Sequence, residues 1–276
     1  MADCEPKPHR FMDLTVPEYA YMFGFLQADG HLYQGVGQKG RLSVELNSRD
    51  IDLLYRFKYL TPYNSSVTER TRTTNFAKHH TTAVWTLCSL EARTKLNNLG
   101  LPYGRKSRQI APPSVGFSGR DYLRGLIDAD GSIGRVDQGI PFISLTTSST
   151  AIAAHLRAYA KEITGVERMP NRNARDGVYN IIYEKEAAQI LAADLYYPGC
   201  LSLGRKQVRA EAIASWTRPY DMRIVHSKRW TAAEDQVLLQ SDDVVAVAEK
   251  LGRSEQSCRM RRWRLRNSRI LTPSNH

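Results

Sequence analysis

The sequence predicts an α+β protein made of two similar halves, followed by a small all-α domain. An apolar segment that ends in an acid and a glycine occurs twice, as "FGFLQADG" (23–30) and "LRGLIDADG" (123–131). A second marker, "GLPYGRKSRQ" at 100–109, returns as "CLSLGRKQVR" at 200–209. Because both markers repeat in the same order and at nearly the same offset, we infer an internal duplication of roughly a hundred residues.

Each half is predicted to have the element order αββαββα. The acid-ended helices should run at about 15–29 and 118–130, starting at "TVPE" and "SGRD", which read as capping boxes. Residues 41–47 and 141–147 alternate apolar and polar side chains, a pattern typical of strands with one polar face. A short strand can precede each of them. The other predicted elements are helices at about 49–60, 90–99, 149–163 and 184–195 and strands at about 66–74, 82–88, 166–173 and 177–183.

The chain changes character after residue 216. Residues 226–276 carry ten Lys and Arg against six Asp and Glu, and three helical segments fit at about 231–240, 244–251 and 254–265. The predicted organisation is a first half at 10–110, a second half at 111–216, a linker at 217–227 and a helical domain at 228–267.

Charge and composition narrow the classes of partner. A formal net charge of +11 and a pI of about 9.6 favour a polyanion such as nucleic acid. The four cysteines have no CxxC spacing, which argues against a disulfide framework and against a thiolate zinc site. The first ten residues carry no apolar signal region and no stretch approaches a transmembrane length. We therefore expect an intracellular protein without a membrane partner.

The duplicated helices carry matching stripes of small residues. Gly24 and Ala28 lie on one face of the first helix, and Gly125 and Ala129 lie on one face of the second. Two matching stripes predict that the helices pack against each other along these faces. That contact would bring two aspartates together at helix C-termini, where negative charge is unfavourable unless protons or cations neutralise it. Oxygen ligands of this kind suit Mg²⁺ and phosphodiester cleavage, although a lone "DADG" also fits a loop or part of a calcium site.

Both segments resemble the motifs of the LAGLIDADG homing endonucleases, and residues 123–131 are close to the family consensus. The resemblance covers about 10–216. It implies a monomer with internal pseudo-two-fold symmetry, whose motif helices form the interface between halves and whose two curved sheets straddle double-stranded DNA in the major groove. It also implies that the acids at the eighth motif position, Asp29 and Asp130, are catalytic and bind Mg²⁺, with Mn²⁺ able to substitute. The backbone carbonyls of Ala28 and Ala129 would assist the metal.

The first motif departs from the family at its sixth position, where Gln27 stands in place of an acid, whereas the second keeps Asp128. Since that position is not the family's metal ligand, the resemblance leaves catalysis intact and makes the halves unequal. The family also carries a basic residue near each metal site, which Lys106 and Lys206 match by position. Each lysine would activate water or stabilise developing charge; the alternative is a phosphate contact or a solvated surface lysine. Ser48 and Thr147 fall where the family often has a water-organising side chain.

The strands after each acid are expected to supply the base-reading side chains. Arginine can read guanine edges and asparagine can read adenine, while several of these residues would contact only phosphate. The two halves differ at nearly all of these positions, so an asymmetric target is expected. The candidates are Arg41, Glu45, Asn47, Arg70, Arg72, Lys78, Arg135, Ser144, Thr146, Arg172, Asn173 and Arg175.

The C-terminal region at about 228–266 resembles a Myb/SANT-like helix-turn-helix module. Trp230, Leu251-Gly252-Arg253 and Trp263 carry the likeness, together with the acids of "RWTAAEDQVLL". The region lacks the family's middle tryptophan and has a shortened connection between its first two helices. The resemblance implies that the third helix enters a DNA groove; the alternative is a basic helix that binds only phosphates or a protein. The candidate contacts include Gln256, Arg259, Arg261 and Arg264.

The leading hypothesis is a site-specific homing endonuclease that makes Mg²⁺-dependent double-strand breaks at a long asymmetric DNA target. The same family resemblance also fits two alternatives: a non-cleaving DNA-binding transcription regulator and an RNA-splicing maturase. Regulators built on this core typically lose the acids, and both acids are present here.

Overall fold

The two segments that end in aspartate are helices, as expected: α1 at Pro17–Asp29 and α4 at Gly119–Asp130. The chain divides into two compact units, residues 1–218 and 219–276. The computed structural model describes residues 10–36, 39–72, 80–136, 139–169, 172–220, 222 and 230–268.

After α1 the chain forms a four-stranded antiparallel sheet, the first sheet, in the order β1-β2-β4-β3. Residues of β2 alternate between burial and exposure, so one face of the sheet packs on helices and the other is open. A 3₁₀ turn at Ser48–Asp50 leads into α2. The bounds are β1 at His31–Tyr33, β2 at Arg41–Asn47, α2 at Ile51–Leu60, β3 at Ser65–Arg72, β4 at His80–Leu87 and α3 at Leu90–Asn98.

After α4 the chain forms a three-stranded antiparallel sheet, the second sheet, in the order β5-β6-β7. The strand predicted at 166–173 is not formed by the described residues of that segment. Arg172 makes a single bridge with Tyr179, and the other described residues of the segment pair with no strand. The sequence has a proline at position 170, and proline disfavours the interior of a strand because it has no N–H to donate. The bounds are β5 at Gly131–Arg135, β6 at Pro141–Thr147, α5 at Thr150–Thr164, β7 at Tyr179–Glu184, α6 at Lys185–Leu195 and α7 at Gly204–Ala214.

The starts of α1 and α4 are not capping boxes. The N-cap of α1 is Val16, and the Thr15 hydroxyl donates to Asp13 (2.6 Å). At α4 the Ser118 hydroxyl donates to the Asp121 carboxylate (2.5 Å) and accepts no backbone N–H. Pro17, which is pre-organised for the first helical turn, marks the start of α1 instead.

Helices α1 and α4 pack directly against each other at the centre of the first unit, which confirms the contact predicted from the small-residue stripes. A Cβ atom at Gly24 would lie 2.2 Å from the backbone oxygen of Tyr122, and one at Gly125 would lie 2.1 Å from that of Tyr21. Only glycine permits this approach, since the obstructing atoms belong to backbone. Nine of the 13 residues of α1 and eight of the 12 residues of α4 are buried.

The described part of the second unit contains three helices around a small core of its own. They are α8 at Ala232–Gln240, α9 at Val244–Leu251 and α10 at Glu255–Ser268. Thr231 and Glu234 form a capping box at the start of α8. Leu238, Val247, Ala248 and Cys258 form the buried centre, with Trp230 packed on it.

None of the described helices combines the length and apolar character needed to cross a membrane.

Candidate functional site

Asp29 and Asp130 are the last residues of α1 and α4, the two helices that pack against each other. Both side chains keep surface open to solvent although they lie in a partly desolvated depression. Burial and the negative charge of Asp130 raise the pKa of Asp29. Burial likewise raises the pKa of Asp130, against the opposing effect of two nearby lysines. A cation bound between the carboxylates would relieve this unfavourable burial and repulsion.

Lys106 and Lys206 lie at the ends of the same two helices. The Lys106 ammonium donates to the carbonyl oxygens of Leu26 (3.3 Å), Gln27 (2.5 Å) and Ala28, all in the last turn of α1. The Lys206 ammonium donates to the carbonyls of Ile127 (2.7 Å), Asp128 (2.7 Å) and Gly131 (2.8 Å) at the end of α4. These oxygens form the negative end of each helix dipole, so each lysine caps its helix.

Both lysines are buried, with 8% and 4% of their surface exposed. Burial lowers the pKa of each to about 8, although the charges of nearby aspartates oppose the shift. The surface-lysine alternative considered for both therefore does not fit the structure. Each amine titrates close to neutral pH beside a carboxylate.

A cleft of about 200 Å³ lies beside Asp130. Its lining includes Ala28 of α1 together with Thr147 and Ser148 from the end of β6, so both motif helices contribute to it. The Thr147 hydroxyl accepts a hydrogen bond from the N–H of Ser149 (3.1 Å). Ser48, its counterpart in the first half, is half-buried in the 3₁₀ turn and does not line this cleft.

Two tyrosines that the sequence analysis did not single out link α1 to α4. Tyr21 donates its hydroxyl to the carboxylate of Asp128 (2.7 Å), and Tyr122 donates its hydroxyl to the side-chain oxygen of Gln27. Each tyrosine precedes the aspartate of its own motif by eight residues, and this repeated spacing was the available signal.

The open face of the first sheet carries five of the predicted DNA contacts. The register aligns Asn47 with Thr82 and Thr82 with Arg70, so these side chains share a face. Glu45 accepts a hydrogen bond from the Thr82 hydroxyl (2.7 Å). Lys78 lies outside the described residues. The exposed residues on this face include Arg41, Glu45, Asn47, Arg70 and Arg72.

In the second half Ser144 and Thr146 lie on the open face of the second sheet, whereas Arg135 does not. Strand alternation places Arg135 on the opposite face from the Ser132–Ser144 pair. Its guanidinium donates to the carbonyl of Ala212 near the end of α7 (2.8 Å). The structure therefore corrects the expectation for Arg135: it caps a helix and is directed away from the open face.

Arg172, Asn173 and Arg175 precede β7 and are exposed. Arg172 donates to the carbonyl of Ser148 (3.0 Å) and lies 4.9 Å from the centroid of the Tyr179 ring. Asn173 accepts the N–H of Arg175 (3.0 Å) in a tight turn, which holds the Arg175 side chain in solvent.

In α10, Gln256, Arg259 and Arg264 are exposed. Arg261 instead forms a bidentate ion pair with Asp235 of α8 (2.6 and 2.8 Å), a structural contact within the three-helix unit. Trp263, part of the Myb/SANT likeness, is 62% exposed and lies outside the core.

Residues 119–195 match the model of the LAGLIDADG-like domain family. The homing endonuclease I-WcaI bound to its DNA recognition sequence matches the structure with a TM-score of 0.51 and 13% identity, over 71% of this chain and 87% of that one. The meganuclease I-SmaMI bound to uncleaveable DNA matches with a TM-score of 0.49 and 12% identity, over 72% and 89%. Full-length DUF199/WhiA from Thermatoga maritima matches with a TM-score of 0.43 and 12% identity, over 91% and 92%.

A comparison with curated proteins found no match. The likeness to I-WcaI shows a shared fold, so the chain has the mixed α+β fold of LAGLIDADG homing endonucleases.

Proposed function

We propose that this protein is a site-specific DNA endonuclease that hydrolyses one phosphodiester bond in each strand of a long asymmetric target. The observation that carries the proposal is the pairing of two aspartates at the ends of two closely packed helices, each with its own buried lysine. One acid and one lysine per half supply two reaction centres, as cutting both strands of a duplex requires. The DNA-bound homing endonuclease I-WcaI, which shares the fold, supports the same class of activity.

The donor set fits a hard divalent cation, Mg²⁺ with Mn²⁺ able to substitute. Among the residues that the structure describes, no group of three or more His, Cys, Asp or Glu side chains lies together. Asp29 and Asp130 with the backbone oxygens of Ala28 and Ala129 offer only oxygen ligands, and such a site leaves coordination positions for water and phosphate. When bound, the metal would neutralise charge on the scissile phosphate and lower the pKa of an attacking water.

The protein's own residues then bind the DNA, orient the reacting groups and neutralise developing charge. Lys106 and Lys206 hold positive charge beside the carboxylates and, below about pH 8, that charge stabilises developing negative charge on a phosphate oxygen. Above that pH each amine becomes able to accept a proton from water. Both positions are fixed by carbonyls of the motif helices, so the reacting groups need no reorganisation.

DNA would lie across the open faces of the two sheets. The exposed arginines and polar side chains of β2 and β3 differ from those of β6 and β7, which suits a target without two-fold symmetry. In this proposal the first unit acts as a monomer of two pseudo-symmetric halves. The three-helix unit acts as a Myb/SANT-like module whose α10 makes further DNA contacts through Gln256, Arg259 and Arg264.

The test is cleavage of a plasmid library by wild type, Asp29→Asn, Asp130→Asn and the double variant, with Mg²⁺, with Mn²⁺ and with chelator. We expect wild type to linearise one sequence, each single variant to nick it or leave it intact, and the double variant to bind without cutting. A matched control is Asp52→Asn, an exposed acid on α2, which should cut like wild type. A protein that binds one sequence and cuts neither strand with either metal would be a regulator or a maturase, and the proposal would fail.

Metal binding has a readout besides cutting. Mg²⁺ should raise the thermal unfolding midpoint of wild type, because a ligand that binds only the native state stabilises it. The double Asp→Asn variant should lose this shift and, without metal, should unfold at a higher temperature than wild type, since two repelling and partly desolvated charges have been removed. Equal shifts in both proteins would place the metal elsewhere.

A further inference from the structure

We propose that Gln27 and Asp128 are positioning residues that hold Lys106 and Lys206 at the ends of the motif helices through hydrogen bonds of opposite polarity. Both occupy the place two residues before an aspartate, and both are almost fully buried, with 0% and 1% of their surface exposed. The consequence for DNA cutting rests on the proposed function, whereas the positioning itself does not.

Gln27 acts as a donor toward the segment that carries Lys106. Its amide nitrogen donates to the carbonyl of Gly100 (2.8 Å) and to that of Ala111 (3.1 Å), which flank this segment on both sides. Carbonyl oxygens only accept, so these partners identify the amide nitrogen, and the side-chain oxygen is left to accept the Tyr122 hydroxyl. Lys106 lies in an irregular turn, and Gln27 ties both ends of that turn to α1.

Asp128 acts as an acceptor toward the segment that carries Lys206. Its carboxylate accepts the N–H of Leu203 (2.7 Å), the residue that precedes α7, and Lys206 lies in the first turn of that helix. It also accepts the hydroxyls of Tyr196 (2.7 Å) and Tyr21 (2.7 Å). A carboxylate can accept all three hydrogen bonds, and these bonds oppose the burial that raises the pKa of Asp128.

The two residues are therefore not interchangeable. A carboxylate at position 27 would face two carbonyl oxygens and lose both donated hydrogen bonds. An amide at position 128 would keep the bond from the Leu203 N–H by placing its oxygen on the side that Leu203 and Tyr21 share, with its nitrogen donating to the Tyr196 hydroxyl. A side chain without a polar atom, as in Asp128→Leu, loses the bond to the Leu203 N–H altogether.

The hydrogen bonds that Gln27 and Asp128 make to the lysine segments also depend on the other motif helix. Tyr21 of α1 supports Asp128, and Tyr122 of α4 supports Gln27. The position of each lysine is thus set by its own motif helix and by the helix packed against it. Loss of the hydrogen bonds of Gln27 should release Lys106 alone, and loss of those of Asp128 should release Lys206 alone.

The test is the rate at which an amine-reactive reagent labels each lysine, measured by peptide mass spectrometry on the full-length protein. We expect Asp128→Leu to increase labelling of Lys206 by about tenfold (about 1.4 kcal/mol) and to leave Lys106 unchanged. Gln27→Glu should do the reverse. Tyr196→Phe is the matched control, because it removes one hydrogen bond to Asp128 and keeps the bond to Leu203.

The ratio of the two labelling rates separates release of one lysine from unfolding, which would raise both rates together. Equal changes at both lysines, or no change in either variant, would overturn the proposal. Strand-specific cutting gives the second readout: Asp128→Leu and Gln27→Glu should slow cutting of opposite strands of the target. If wild type cuts no DNA, the proposed function fails and labelling alone still decides the positioning role.

Discussion

Lys106 and Lys206 are buried cations that each cap a helix with three carbonyl oxygens. Neutral carbonyls replace part of the hydration that the ammonium loses, and the nearby carboxylates supply the opposite charge. The balance remains unfavourable for the charged form, since burial is the largest influence on both pKa values. Two buried lysines of lowered pKa beside two carboxylates of raised pKa are typical of a functional site.

The lowered lysine pKa values predict a pH dependence of stability. The pKa of both lysines is about 8 in the folded protein, and their ordinary pKa is 10.5. Between these two pH values the unfolded chain binds more protons than the native protein, so the lysines' contribution to stability increases as pH rises. The free energy of unfolding in urea should therefore increase for wild type, relative to the Lys106→Met/Lys206→Met variant, across this range. Below about pH 8 the difference between the two should be constant.

The control for this prediction is Lys161→Met, which removes an exposed charge from α5. The difference in free energy of unfolding between wild type and Lys161→Met should not increase in this way as pH rises. Parallel stability curves for wild type and the double lysine variant from pH 7 to 10.5 would show that the lysines titrate as they do in the unfolded chain.

At the scale of elements, the contact between α1 and α4 depends on two glycines. The atoms that a side chain would meet at Gly125 are the backbone oxygen of Tyr21 at 2.1 Å and the backbone nitrogen of Phe25 at 2.9 Å. Backbone cannot rotate away, so Gly125→Ala must separate the helices. We expect the free energy of unfolding in urea to fall by at least the ~1–3 kcal/mol typical of overpacked cores.

Gly119→Ala, at the start of the same helix, is the matched control, because the nearest atom to its Cβ belongs to the Phe117 ring and is 4.0 Å away. That change should be neutral or slightly stabilising, since alanine is the better helix former. If both variants unfold alike, the close approach of α1 and α4 is not what requires glycine. A separation of the helices should also move Asp29 away from Asp130.

The three-helix unit depends on one buried arginine. Arg262 donates to the carbonyls of Leu238 (3.1 Å), Ser241 (2.6 Å) and Asp242 (3.0 Å) and so caps the end of α8. A lysine cannot reproduce this planar fork. Arg262→Lys should destabilise the unit by about 1–3 kcal/mol, the cost of leaving buried acceptors without partners.

Hydrogen exchange of α8–α10 measures this loss, and exchange in α1 and α4 should stay unchanged. Arg264→Lys, at an exposed position on the same helix, should leave exchange of both units as in wild type. Equal acceleration in both units would mean that they unfold together.

Local patterns predicted most elements and the acid-lysine site, and long-range contacts account for what they missed. Alternation along residues 41–47 and 141–147 gave both strand bounds correctly, because strand faces follow from neighbouring residues. Helix α7 was not predicted, although the three-residue spacing of Ala210 and Ile213, which α7 buries, was a usable signal. The partners of Arg135 and Arg261 lie 77 and 26 residues away, and no sequence pattern shows which arginine turns toward which carbonyl or carboxylate.

At the scale of the whole molecule, the charge of +11 predicts binding to DNA that weakens steeply with salt. Each phosphate contact contributes a slope of about −0.9 to log K against log salt. In the proposed function Arg259 and Arg264 of α10 contact the DNA backbone outside the cleavage site. The double variant Arg259→Gln/Arg264→Gln should therefore bind the target more weakly, with a slope less negative by up to about 2.

Fluorescence anisotropy with labelled target in chelator, from low to high salt, measures both quantities without cleavage. Lys161→Gln, an exposed charge on α5, is the control and should leave the slope unchanged. With Mg²⁺ restored, the α10 variant should cut at the same phosphates as wild type, because the aspartates and lysines are untouched. An unchanged slope would assign α10 to another partner, and a shifted cleavage position would mean that α10 helps to set the register of the first unit on DNA.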